Sequence, residues 1–139
     1  MKIRMLVLSV MALVGLSACE NDAASMLIDG KEHSISLMRE QSWVWSSQVE
    51  QRFIVSRLPE CQRRYTVDPG ARTMAPIELY EIRAMLYVAK QGDTWYAVGT
   101  EACQVQKFQE KPERIPGRLL GRFEQGEAGL VFTPEKVAP

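Results

Sequence analysis

The chain of 139 residues has one histidine, three cysteines and no apolar run long enough to cross a membrane as a helix. Each scarcity excludes something. With His33 the sole imidazole, any histidine-based triad or proton relay must pass through it, and it stands beside an Asp-Gly turn where a polar strand-edge residue is ordinary. No serine sits in a Gly-x-Ser-x-Gly elbow and no glycine-rich phosphate loop occurs. The neighbouring carboxylates do no better. Glu78 and Glu81 would point to opposite faces of a strand, and Glu124 and Glu127 read as loop residues in water, whereas glycosidase chemistry needs two acids flanking one cleft. Charge of one sign is lacking too: seventeen basic residues interleave with seventeen acidic ones, leaving no basic stripe for nucleic acid. These absences predict a protein that is not an enzyme and takes no metal or cofactor.

What is present begins at the N-terminus. Lys2 and Arg4 precede an apolar stretch of eleven residues, 5–15, and then Leu16-Ser17-Ala18-Cys19. A spanning helix needs about 20 apolar residues, so this layout reads instead as an export signal removed from the mature chain. Leu16 to Cys19 resembles the lipobox of bacterial lipoproteins. The resemblance covers residues 1–19 and implies cleavage before Cys19, with lipid added to its thiol and to the new amine. Two or more acyl chains, at ~0.8 kcal/mol per buried methylene, make a durable anchor. In enteric members of that family an aspartate after the cysteine favours retention at the inner membrane. Glu20 stands there here, which implies the outer membrane, facing the periplasm.

Residues 19–139 then form the mature chain, enough for one domain with its own core. Loss of Lys2 and Arg4 leaves fifteen basic against seventeen acidic residues, a net charge of about −2. Residues 20–25 are small and polar and read as a tether to a β-domain spanning 26–132, and 133–139 as a frayed tail. With Cys19 lipidated, Cys61 and Cys103 remain in an oxidising compartment and read as a structural disulfide. Redox pairs place their thiols closer in sequence, and a zinc site would need further ligands.

The dominant period along the domain is two. Residues 26–38 have the form of a hairpin about Asp29-Gly30, and 49–58, 61–67, 94–100, 103–108, 119–123 and 130–132 are strand candidates. The clearest signal is 78–90, read as one strand. Tyr80, Ile82, Ala84, Leu86 and Val88 fall on a face that turns to the core, with Glu81, Arg83, Met85 and Tyr87 on the other. Pro69-Gly70 and 111–117 read as loops, and 40–51 admits at most one short helical turn. The expected fold is all-β: a small antiparallel β-sandwich or barrel of about seven to nine short strands with one disulfide.

Two features stand out as a candidate binding surface. Trp43 and Trp45 would project to one side of an extended stretch, as core filling or as an aromatic shelf that stacks on sugars or docks a partner. Arg63 and Arg64 follow Cys61 and are either solvated edge-strand charges or ligands for phosphate or peptidoglycan carboxylates. Trp95, among β-formers, is expected in the core. The function these residues imply is that of a non-enzymatic, membrane-anchored envelope lipoprotein, held to the membrane by its lipid and partnered by an envelope protein or peptidoglycan. Two alternatives are a lysozyme-type hydrolase inhibitor, for which no matching inhibitory loop motif is visible, and a small-ligand-binding barrel.

Overall fold

β-branched and aromatic residues alternating with polar ones at period two build ten antiparallel strands in the computed structural model, which describes residues 21–114 and 117–136. The signal, the lipobox and Cys19 lie outside the described residues. Strands β1 (Asn21–Asp29), β2 (His33–Glu40), β3 (Gln48–Arg57) and β4 (Cys61–Ala71) form a four-stranded meander in that order. The second sheet contains β5 (Ile77–Arg83), β6 (Leu86–Gln91), β7 (Thr94–Gly99), β8 (Gln104–Lys107), β9 (Arg118–Gly126) and β10 (Gly129–Pro134) in the order β10-β9-β5-β6-β7-β8. No helix occurs among the described residues, so the all-β sandwich stands, with one strand more than the upper expectation.

The extra strand comes from residues 78–90, which are a hairpin and not one strand. The chain turns at Ala84 and Met85, the latter at φ 62°. Tyr80 pairs with Val88 and Leu79 with Ala89, so even residues face even residues across the turn and the alternation survives the reversal. The faces also exchange roles. Leu79, Tyr87 and Ala89 point into the main core with Ile35, Leu37, Phe53, Val55, Tyr96, Val98 and Phe123. Tyr80 and Val88 join Trp95 in a smaller cluster, against which Ile82, Phe108 and Leu119 pack. Trp95 is therefore buried as expected, under a stacked Phe108 with ring centroids 6.5 Å apart.

Several boundaries differ from the sequence reading, among them that of β9, which runs on through Glu124, paired with Val131, to Gly126 and leaves only Glu127 of that pair in a turn. Residues 21–25 are part of β1, paired with β2 from Asn21↔Glu40 onward, because Ala24 packs inward and the backbone finds a full ladder. Pro69 and Gly70 lie within β4: this is an edge strand, where a missing proline N–H breaks no ladder, and a register shift opposite Val49 and Gln51 absorbs the irregularity. At the other end, β10 continues through Thr133 and Pro134.

Each edge of the sandwich is stitched to the facing sheet. On one side Asp22 Oδ2 accepts a hydrogen bond from Leu130 N at 2.6 Å, joining β1 to β10. On the other, the Cys61–Cys103 disulfide, with Cα atoms 5.9 Å apart, joins β4 to the turn before β8. Lys107 Nζ meets Asp68 Oδ2 at 2.6 Å, and Tyr65 Oη donates to the Cys103 carbonyl at 2.6 Å along the same seam.

Candidate functional site

Residues 41–47, Gln-Ser-Trp-Val-Trp-Ser-Ser, join β2 to β3. Paired serines compete for the backbone and two tryptophans crowd a helical turn, so the segment takes neither helix nor strand. It closes as a turn, with Ser46 N donating to Trp43 O at 3.0 Å. The body of the protein then fixes it. The buried Gln41 amide donates to Ser46 O at 2.8 Å, Arg72 Nη2 donates to Val44 O at 2.5 Å, and Ser46 Oγ donates to Gln48 O at 3.0 Å. With its carbonyls held from behind, the loop turns its apolar side chains outward. Trp43 is 63 % exposed, Val44 51 % and Trp45 80 %. The indole rings stack on one another, centroids 5.8 Å apart and planes 21° from parallel. The pair is thus exposed and takes no part in the core.

The remaining candidates do not join it. Arg63 and Arg64 are exposed on β4, opposite Val55 and Ile54, whereas the aromatic loop adjoins the Ala71 end of that strand. The cation that does meet the loop is Arg72, just past β4 and 28 residues from Val44, a link no local pattern carries. His33 is hydrogen-bonded through Nε2 to Thr100 Oγ1 at 2.8 Å. Arg57 donates to the carbonyls of Thr100 and Glu101 at 3.0 and 2.6 Å. Both side chains pin the turn beside the disulfide. Among the described residues no three of His, Cys, Asp and Glu gather in a group that could hold a metal ion.

An open cavity of about 480 Å³ lies where β1 faces β9 and β10, lined by Met26, Ile28, Glu81, Tyr87, Leu120 and Phe132 among others. Burial, and then the Glu81 carboxylate, push the Tyr87 phenol above its ordinary value. Glu81 itself pairs with Arg118 at 3.1 Å. The walls can receive an apolar or amphipathic group, and Glu81 is the one carboxylate among the described residues that line it. No family model, curated protein or solved structure matches this chain.

Proposed function

We propose that this protein is a non-enzymatic lipoprotein of the bacterial envelope, anchored through Cys19 at the outer membrane with its β-sandwich in the periplasm, and that it serves by binding. The observation that carries the reading is the order of basic residues, apolar stretch and Leu16-Ser17-Ala18-Cys19. The start of β1 at Asn21 adds to it: two residues of chain span at most about 7 Å, so an anchored domain would rest against the bilayer. Metabolic labelling with an acyl-chain analogue tests the anchor. Wild type should take the label, and Cys19→Ser should remain an unlabelled, uncleaved or mislocalised precursor. Equal labelling of both, or of neither, removes the reading.

A second reading, a carrier of a small amphipathic molecule, is favoured by the cavity beside β1. Native mass spectrometry of protein extracted from its own membranes should then show a retained small molecule. Leu120→Trp, which fills the cavity, should release it. A wild-type protein of bare polypeptide-plus-acyl mass sinks this second reading.

A further inference from the structure

We infer that the Trp43-Val44-Trp45 loop is a membrane-contacting element that seats the domain on the bilayer to which its own lipid anchors it. The inference rests on the lipoprotein reading and adds to it a lipid surface as the occupant of the exposed aromatic loop. The register makes the connection. Asn21 lies opposite Glu40 across the β1–β2 ladder, and the loop begins one residue later, at Gln41. Paired Cα atoms in such a ladder are about 5 Å apart, and Cys19 is two residues from Asn21. The point of lipidation and the aromatic loop therefore leave the same end of the same sheet. Any soluble partner docking on these rings would have to enter the gap between the domain and its own membrane.

The chemistry of the loop fits that surroundings. Residues 41–47 contain no charged side chain in a chain of which 24 % is charged. Tryptophan, with an apolar body and one N–H donor, is enriched where acyl chains meet headgroups. Arg72, exposed and held against the Val44 carbonyl, sets a cation at the level of lipid phosphates. The turns at the opposite end of the four-stranded sheet carry Lys31, Glu32 and Glu60 instead. At the loop's own end, the acidic turns at Asp93 and Glu127 belong to the other sheet, so the domain leans on the corner between β2 and β3. The hydrogen bonds from Gln41, Arg72 and Ser46 leave the loop little conformational freedom to lose when it inserts.

The chain has three tryptophans, and the third, Trp95, is buried, which makes the test spectroscopic. The full lipidated protein is reconstituted into phosphatidylethanolamine–phosphatidylglycerol vesicles with and without brominated acyl chains. Brominated chains should quench about half or more of the tryptophan emission, since two of three indoles would sit at the interface. Trp43→Ser/Trp45→Ser, altering exposed positions only, should lose that quenching while still carrying the acyl label. Label without quenching in wild type overturns this inference and leaves the anchor standing; absence of the label overturns both. An emission shift on adding soluble peptidoglycan fragments, with no quenching by brominated lipid, would assign the loop to glycan and overturn it as well.

Discussion

Tyr80 shows how one side chain ties burial to pH. Its ring packs in the smaller cluster with Val88 and Trp95, and its hydroxyl donates to Glu78 Oε2 at 2.9 Å. Burial first, and then the hydrogen bond to Glu78, push the phenol up to about 12. Tyr87 and Tyr96 are raised too, each chiefly by burial. A phenol that holds its proton more tightly folded than unfolded contributes stability that is whole below its ordinary value. That contribution is lost as the pH climbs from about 10 toward 12. Denaturant midpoints measured from pH 8 to 12 should accordingly be level at first and then fall, and Tyr80→Phe should shallow the fall. A wild-type midpoint that stays level above pH 10 would show that these phenols carry no such linkage. Gln51 is the polar counterpart. Fully buried on β3, its amide donates to Asp68 O at 2.8 Å and Gln91 Oε1 at 2.9 Å and accepts from Arg39 Nε at 3.2 Å. A Cβ at position 70 would come within 2.8 Å of Gln51 Oε1, so any larger residue there would have to displace this hydrogen-bonded amide.

At the scale of elements, the disulfide makes a contribution that can be tested separately. Closing a loop of this length, with the two cysteines 42 positions apart, contributes ~4 kcal/mol in the chain-entropy treatment. Cys61→Ala/Cys103→Ala should lower the melting temperature by well over 10 °C, since about 1 kcal/mol shifts a domain of this size by several degrees. Acyl labelling at Cys19 should be untouched. Thiol titration of denatured, unreduced wild type should find neither of these two thiols free. The pair was legible because an expected oxidising compartment and a count of the remaining cysteines sufficed to read it. Most strands were legible as well, wherever alternation ended in a recognisable turn such as Asp29-Gly30. The hairpin at Ala84-Met85 was not. Neither residue is a turn former, and the even-with-even register hides the reversal from any period-two reading. For the same reason the stronger apolar stripe, with Tyr80 and Val88, looked like the core face when it is the face of the smaller cluster. At the aromatic loop the residues were legible and their setting was not, because Gln41 and Arg72, which hold the loop outward, act through tertiary hydrogen bonds.

Across the whole molecule, the two sheets close around one main core and the two seams differ in kind. The β4 seam is covalent and charged, with the disulfide at one end and Lys107–Asp68 further along. The β1 seam rests on Asp22 and leaves room for the cavity beside it. The side that opens is thus the one that carries β1. The β1–β2 ladder, running from Asn21↔Glu40 to Asp29↔His33, also has a mechanical meaning. Its hydrogen bonds lie across the strands, so a pull on Asn21 along the axis of β1 loads them side by side and not one after another. Were the domain gripped at its far end while its N-terminus stayed fixed in a bilayer, drag would reach β1 as shear. The ladder would share that tension and pass it through the meander to the covalent cross-link on the opposite edge.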